Sequence, residues 1–188
     1  MKIDIIFFDC DGVLVFGNPW VKLHREMNIS YELDRRWFDE YYSGKISFEE
    51  WNEKIETQYK REKLTRQLFE EILDLKNFTL NDEAWNLINF IKAKDIPTAI
   101  ISNSIDYYVE RVAKRFDFDY WNANAHLEFD QKDNFKKFII SDKDRDGKVN
   151  AINKIAELAK VDPHNSIYIG DSANDLMAFK YTKKRNSL

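Results

Sequence analysis

The sequence predicts an α/β protein in which a doubly wound parallel sheet carries an inserted small helical-bundle cap. Three apolar segments have the length and composition of buried strands, and each of them ends in polar or acidic residues. Roughly 80 residues separate the first two segments, far more than a crossover between parallel strands needs, so we expect an inserted module there. A chain of 188 residues, 44% of them hydrophobic, can bury one core and a small second module.

The first apolar segment, Ile3–Phe8, is rich in β-branched and aromatic residues. A strand that helices cover on both faces has this composition, so we expect the central strand of the sheet here. The segment stops at Asp9, and Asp11 and Gly12 follow it. The sequence therefore predicts two carboxylates at the end of a central strand.

The second and third apolar segments each follow a helical pattern, as crossover units of a parallel sheet do. Pro97–Ile101 ends in the polar group Ser102–Ser104. Ser166–Gly170 follows an amphipathic helix predicted at Val149–Ala159 and ends at Asp171. Because ligands bind outside the carboxyl ends of the strands in such sheets, we expect the three strand ends to converge on one crevice.

The inserted segment, Pro19–Leu75, shows the apolar spacing of helices. Asp34 and Ser47 are the predicted N-caps, and Ser47–Glu50 fits a capping box. We interpret the aromatic stripes as bundle core rather than as a ligand cage. The residues with helical spacing are Trp37, Phe38, Tyr41 and Tyr42, then Phe48, Trp51, Ile55 and Tyr59, and finally Leu64, Leu68, Phe69 and Ile72, and the aromatic ones among them form the stripes.

A further segment, Phe118–Ile140, has short apolar runs around polar turns, which predicts one more strand and a β-hairpin. We expect a core made of residues 1–15 and 79–188 and a cap made of residues 16–78. Such a cap can close over a ligand and exclude water.

Composition and charge exclude several classes of partner. A net charge of −4 leaves no strongly basic face for nucleic acid. The apolar stretch at the amino terminus is far shorter than the roughly 20 residues of a membrane span, so we expect a cytoplasmic protein without a membrane partner. Cys10 is the one cysteine, and the three histidines are scattered singly, which argues against a disulfide or a zinc site.

The acidic residues at the strand ends suit phosphoryl chemistry. Asp9 and Asp11 lie two residues apart, so an extended backbone directs both carboxylates to one side. One can attack phosphorus to form an acyl phosphate, while the other gives a proton to the leaving oxygen and later activates water. A hard cation held by carboxylates would supply countercharge. Asp171 is the further ligand we expect, and Asp175 can orient that ligand or a bound water.

These residues resemble the motifs of the haloacid dehalogenase (HAD) superfamily. Phe8–Val15 is similar to the first motif, DxDGT/V after an apolar strand, and Ile100–Asn103 is similar to the second. Gly170–Leu176 is similar to the fourth, GDxxND. The resemblance covers nearly the whole chain and implies a Rossmann-like core and a Mg2+-dependent phosphatase that works through an aspartyl phosphate.

By this resemblance, Asp9 is the nucleophile, and Asp11 is the general acid and base whose backbone carbonyl also binds Mg2+. Asp171 is then a magnesium ligand, and Asp175 is a supporting carboxylate.

The resemblance also implies a phosphate-binding set. Ser102 and the backbone amide of Asn103 would bind phosphoryl oxygens. The family's third motif is a lysine at the start of the helix before the last strand, and Lys148 has that place, with Lys143 as the alternative. This cation would stabilise the charge on the nucleophile and on the transferred group.

A different interpretation applies to the loop before Lys148. Asp142–Val149 resembles the opening of a calcium loop, DxDxDG followed by an apolar residue. Its twelfth position is Asn153 rather than the usual Glu, so we favour an acidic surface loop, with calcium binding by Asp142–Asp146 as the alternative.

Within the superfamily, the helical insertion and the spacing from Lys148 to Asp171 resemble the phosphoserine phosphatase subgroup. That subgroup's cap holds the substrate with a Glu and an Arg, and Asn18 and Ile55 stand in those places here. We therefore do not expect specificity for phosphoserine.

The function we expect is Mg2+-dependent hydrolysis of a small phosphorylated metabolite. The alternatives are a phosphotransferase that uses the same intermediate and a non-catalytic phosphate-binding or regulatory protein. The sequence does not indicate an oligomeric state. Family members usually continue beyond Lys183–Leu188 into another strand, so we expect a shortened sheet edge.

Overall fold

A computed structural model describes residues 2–142 and 147–182. It contains a five-stranded sheet, a two-stranded sheet and helices, as the predicted α/β class requires. The strands are β1 (Ile5–Phe8), β2 (Val15–Phe16), β3 (Thr79–Leu80), β4 (Thr98–Ile105), β5 (Tyr120–Phe129), β6 (Phe135–Ile140) and β7 (Ser166–Ile169). The helices are α1 (Pro19–Glu26), α2 (Tyr31–Tyr42), α3 (Phe48–Arg61), α4 (Arg66–Ile72), α5 (Asp82–Lys92), α6 (Asp106–Phe116), α7 (Gly147–Ala159) and α8 (Leu176–Thr182).

The larger sheet has the strand order β6-β5-β4-β1-β7. Strand β1 is parallel to β4 and to β7, and β4 is parallel to β5. A turn of five residues, Asp130–Asn134, connects β5 to β6, and a connection this short makes the pair antiparallel. The carboxyl ends of β1, β4 and β7 therefore lie at one edge of the sheet.

Helices cover both faces of this sheet, as predicted for a doubly wound core. Ile5 and Phe7 of β1 pack with α7 and α8, while the alternate residue Phe8 meets Phe118, which follows α6. Successive strand residues point to opposite faces, so β1 is buried on both sides. The buried residues on the face covered by α7 and α8 are Ile5, Phe7, Ala99, Ile101, Ala151, Ile152, Ile155, Tyr168 and Ala178.

The chain divides into two compact units. The first contains residues 1–17, 78–125 and 140–188, and the second contains residues 18–77 and 126–139. The second unit therefore includes the outer part of the β5–β6 hairpin, whereas the sequence led us to expect a cap of residues 16–78 alone.

Packing explains why the hairpin belongs with the helices. Tyr59 of α3 packs edge-on against Phe135 and Phe138 of β6, with ring centroids 5.4 Å apart in each pair. Arg66 of α4 forms an ion pair with Asp133 in the hairpin turn at 2.8 Å. These contacts join residues more than 60 positions apart in the chain, which a local apolar pattern does not reveal.

The helix N-termini of the second unit test the predicted caps. Ser47 caps α3 with a complete capping box, as predicted: its hydroxyl accepts from the Glu50 amide at 3.1 Å, and the Glu50 carboxylate accepts from the Ser47 amide at 2.6 Å. The prediction for Asp34 is wrong, because the hydroxyl of Ser30 accepts from Leu33 and starts α2 one turn earlier.

The residues with helical spacing in the insertion divide between core and surface. Ile55, Tyr59 and Phe69 are buried, as predicted for bundle core. The stripe of α2 is not core, because no residue of this helix is buried. Its Tyr41 instead stacks on Trp51 of α3, with ring centroids 5.1 Å apart.

Some predictions lie outside the described residues. Part of the loop with the alternative calcium interpretation, including Asp144 and Asp146, lies in the segment 143–146, as does the alternative Lys143. The predicted shortened edge at Lys183–Leu188 also lies outside. Among the helices within residues 2–142 and 147–182, none has the length and apolar character that crossing a bilayer requires.

Candidate active site

Two strand ends bring three acidic side chains together in the first unit. Asp9 follows β1, Asp171 follows β7 by two residues, and Asp175 lies four residues further on, directly before α8. The Asp9 amide donates to the carbonyl of Ile169 at 2.8 Å, which ties the end of β1 to the end of β7. Carboxylate oxygens of the three aspartates lie within 4.8 Å of one another.

Lys148, the second residue of α7, places its ammonium group among these carboxylates. Its Nζ lies 2.8 Å from Oδ2 of Asp9 and 2.6 Å from Oδ1 of Asp175. It also donates to the hydroxyl of Tyr168 at 3.1 Å. The lysine is only 5% exposed, so the two carboxylates provide the countercharge that a buried ammonium needs.

Asp175 is fully buried, and both of its oxygens accept hydrogen bonds. Oδ1 accepts from Lys148 and from the Tyr168 hydroxyl, the latter at 2.9 Å. Oδ2 accepts from the amide and the hydroxyl of Ser172 at 2.9 and 3.0 Å. Burial alone would raise the pKa of Asp175, but these donors, above all Lys148, lower it below its usual value. Asp175 is therefore ionised, and hydrogen bonds engage both of its carboxylate oxygens.

Asp171 differs from Asp175 because it is exposed. Within the described chain its carboxylate forms no hydrogen bond or ion pair, so it keeps its oxygens available. Gly12 makes room for it: the glycine has a φ of +80°, and a Cβ atom there would lie 2.0 Å from Oδ2 of Asp171. The glycine after the second aspartate thus permits the close approach of Asp171.

The carboxylate of Asp9 is buried and held at both oxygens. Oδ1 accepts from the Cys10 amide at 2.7 Å, and Oδ2 meets Lys148. Burial raises the pKa of Asp9, and the attraction of Lys148 offsets only part of that rise. A cation beside the carboxylate would favour its ionised form.

The carboxylate of Asp11 lies outside the close group of three. Its pKa is raised to about 7 by burial and by the charge on Asp9, against a smaller opposing effect of the Ser104 hydroxyl. Oδ1 of Asp11 is buried without a hydrogen-bond partner among the residues described. This carboxyl group can therefore carry a proton near neutral pH.

Ser102, Asn103 and Lys148 line one cleft of about 190 Å³. Ser102 is buried, and its Oγ accepts from the Ser104 amide at 3.1 Å. Asn103 is exposed. Strand β4 continues through these residues instead of ending at Ile101, and its register with β5 shifts between Ser102 and Ile105. The predicted phosphate-binding residues thus border the same space.

Tyr168 is a site residue that was not predicted from the sequence. Its hydroxyl accepts from Lys148 and donates to Asp175, and it lies 3.4 Å from the backbone carbonyl oxygen of Ile101. The apolar run Ser166–Ile169 identified this tyrosine only as buried strand. The available signal was its phenolic hydroxyl, since a buried tyrosine needs a hydrogen-bond partner.

Comparisons with known proteins identify the family of this chain. Residues 3–181 match the family model described as haloacid dehalogenase-like hydrolase. The phosphoserine phosphatase of Methanocaldococcus jannaschii is 25% identical over 183 residues, which cover 95% of this chain and 82% of that protein. The phosphoserine phosphatase of Archaeoglobus fulgidus is 26% identical over 176 residues, 91% of this chain and 48% of that protein. A solved structure of a substrate-bound phosphoserine phosphatase shares the fold, with a TM-score of 0.77 at 23% identity, over 96% of this chain and 83% of that one.

Proposed function

Because this chain belongs to the haloacid dehalogenase-like hydrolase family, we propose that it hydrolyses a small phosphomonoester by attack of Asp9 on phosphorus. It is a phosphatase similar to the phosphoserine phosphatases. The observation that carries the proposal is the buried ammonium of Lys148 between Asp9 and Asp175, beside the exposed carboxylate of Asp171. This arrangement combines a nucleophile, a fixed cation and a free anionic ligand.

The donor set fits a hard divalent cation, which we propose is Mg2+. Asp9 and Asp171 offer carboxylate oxygens in the close group, and the backbone carbonyl of Asp11 completes the set proposed from the family motif. Oxygen ligands of this kind are those that Mg2+ prefers. When bound, the ion would neutralise charge on the phosphoryl group. Asp175, whose oxygens are all engaged, would act through Lys148 and Ser172 instead.

In the first step, an oxygen of Asp9 attacks phosphorus and forms a P–O bond while the bond from phosphorus to the leaving oxygen breaks. Protonated Asp11 gives its proton to that oxygen, so the product leaves as an alcohol. Ser102 and the amide of Asn103 hold phosphoryl oxygens, and Lys148 balances the charge that builds on them. The first step leaves an aspartyl phosphate on Asp9 and an ionised Asp11.

In the second step, water attacks the same phosphorus atom. Asp11, now ionised, takes a proton from the water while the P–O bond to Asp9 breaks, and inorganic phosphate leaves. Asp9 returns as a carboxylate and Asp11 returns to its protonated form. A pKa of about 7 suits a group that must both give and take a proton at neutral pH.

The roles of Asn18 and Ile55 support a substrate other than phosphoserine. The side chain of Asn18 caps α1, because its Oδ1 accepts from the amides of Trp20 and Val21 at 2.8 and 3.2 Å. Ile55 is 4% exposed and belongs to the apolar interior of the second unit. Neither residue offers a charge for an amino or a carboxylate group, so we propose a leaving group without this pair of charges.

The test is turnover of p-nitrophenyl phosphate by the purified protein, with magnesium or with EDTA. We expect activity that requires magnesium and that falls by roughly 1,000-fold or more in Asp9→Asn, because the nucleophile is lost. Asp95→Asn is the matched control, since it removes an exposed carboxylate elsewhere in the first unit.

Two outcomes would contradict the proposal. Full activity of Asp9→Asn would refute the role of Asp9. A folded, magnesium-loaded protein that binds phosphate but turns over no phosphomonoester in a broad substrate panel would favour the non-catalytic alternative.

A further inference from the structure

The ammonium group of Lys148 has no unused hydrogen in this arrangement. A lysine ammonium carries three N–H donors. Its three acceptors are Oδ2 of Asp9 at 2.8 Å, Oδ1 of Asp175 at 2.6 Å and the hydroxyl of Tyr168 at 3.1 Å. A phosphoryl oxygen that binds Lys148 must therefore replace one of these three acceptors.

The hydroxyl of Tyr168 is the acceptor that is most readily replaced. The other two are carboxylates, and hydrogen bonds between charged partners are roughly twice as strong as neutral ones. The contact with Tyr168 is also the longest of the three. Replacement of this neutral hydroxyl by an anionic oxygen leaves both ion pairs of Lys148 in place.

The position of the Tyr168 hydroxyl is fixed by the strand and by its own hydrogen bonds. Strand β7 pairs with β1, so Tyr168 lies beside Phe7 in the sheet. Its ring meets Phe179 of α8 edge-on, with centroids 5.5 Å apart. The hydroxyl donates to Asp175 at 2.9 Å, which directs an oxygen lone pair towards Lys148.

We propose that Tyr168 is a positioning residue whose hydroxyl orients the ammonium of Lys148 and occupies the N–H that the phosphoryl group takes over. The inference rests on the proposed function, since it assigns Lys148 to the transferred group. Tyr168 itself touches neither the nucleophile nor the substrate. It keeps the ammonium of Lys148 in one rotational state. Two N–H groups then donate to Asp9 and Asp175, and the third points to the position that the phosphoryl oxygen takes over.

Removal of this hydroxyl tests the proposal. Tyr168→Phe keeps the buried ring and removes the contacts to Lys148 and Asp175. We expect kcat to fall by roughly 10-fold or more, as for other residues that orient a catalytic group, and KM to change less than about 2-fold. Phe179→Leu is the matched control, because it alters packing against the same ring and leaves the hydroxyl intact.

A double-mutant cycle separates action through Lys148 from a general loss of structure. In a Lys148→Ala background, the further change Tyr168→Phe should alter kcat by less than about 2-fold, because there is no ammonium left to orient. Equal losses of kcat from Tyr168→Phe in both backgrounds would overturn the proposal, as would an unchanged kcat in Tyr168→Phe alone.

A second readout does not depend on turnover. In proton–nitrogen NMR spectra selective for ammonium groups, the signal of Lys148 is the one that Lys148→Ala removes. We expect faster hydrogen exchange of this signal in Tyr168→Phe than in the wild type or in Phe179→Leu, and unchanged exchange would overturn the inference. If the wild type lacks turnover altogether, the proposed function fails, and this spectrum still decides whether Tyr168 orients Lys148.

Discussion

Asp11 shows how burial and a neighbouring charge together prepare a single residue for proton transfer. An ordinary aspartate has a pKa near 3.8, whereas burial and the charge of Asp9 raise that of Asp11 to about 7. The raised value means that the folded protein binds a proton which the unfolded chain has already released at neutral pH. The pKa of Asp11 is therefore linked to the stability of the fold.

We predict that this linkage is visible in the metal-free protein. Because the folded pKa is the higher one, the stability that the protonated carboxyl contributes is complete below about pH 4 and is lost as the pH rises to about 7, up to roughly 4 kcal/mol. Asp11→Asn removes the titrating group. The free energy of unfolding of the wild type, relative to that of Asp11→Asn, should thus fall between about pH 4 and pH 7 in EDTA.

Urea unfolding at several pH values measures this difference. Asp95→Asn, which removes an exposed carboxylate, should instead run parallel to the wild type. Parallel curves for the wild type and Asp11→Asn would show that Asp11 has an ordinary pKa.

The sequence identified the acidic residues of the candidate site better than it identified their environment. Asp9 and Asp171 are visible because they follow apolar strands, and Lys148 is visible through the order of the motifs. The contact between Tyr168 and Lys148 is not visible, because it joins a strand to a helix 20 residues away in the chain. The raised pKa of Asp11 likewise depends on burial, which a sequence pattern does not quantify.

Among the secondary-structure elements, helix α3 has the N-terminus with the clearest sequence signature. Ser47 and Glu50 satisfy each other's backbone amides, and this reciprocal pair needs only local residues. The N-terminus of α2 was predicted wrongly because Ser30 and Asp34 are both good N-cap residues one turn apart, and the spacing of apolar residues does not distinguish between them.

We predict that Ser47→Ala lowers the free energy of unfolding by about 1 kcal/mol, because the Glu50 amide loses its acceptor at the end of the helix. Ser47→Thr is the control, since it keeps a hydroxyl at the cap. Thermal or urea unfolding of both variants measures the effect. Equal losses in the two variants would mean that the hydroxyl does not stabilise α3.

For the molecule as a whole, the fold class was predictable and the composition of the two units was less so. Strand composition and the long interval after β1 were enough to predict a doubly wound sheet with an inserted helical module. The second unit also takes in residues 126–139, because Tyr59 and Arg66 contact a hairpin that comes more than 60 residues later. Such long-range packing has no local periodicity.

Substrate specificity depends on residues from different parts of the chain. We predict that this protein does not prefer phosphoserine over other small phosphomonoesters. With Asn18 engaged as a helix cap and Ile55 buried, the kcat/KM for phosphoserine should not exceed that for glycerol phosphate, whose leaving alcohol is uncharged. Phosphate release from the two esters under identical magnesium concentrations measures this ratio. A preference of more than about 10-fold for phosphoserine would contradict the structural roles we assign to these two positions.

The shared hairpin limits how this chain can be divided. Strand β5 begins in the first unit and ends in the second, so the polypeptide crosses between the units at the hairpin as well as at the ends of the helical insertion. Excision of residues 18–77 alone would leave Phe129, Phe135 and Phe138 without the aromatic partners of α3 and α4 that bury them. A minimal catalytic unit would therefore also need a shortened hairpin, because the exposed aromatic residues would otherwise form an apolar surface patch. Insertions or deletions in the helical segment during evolution are constrained by the same contacts with the hairpin.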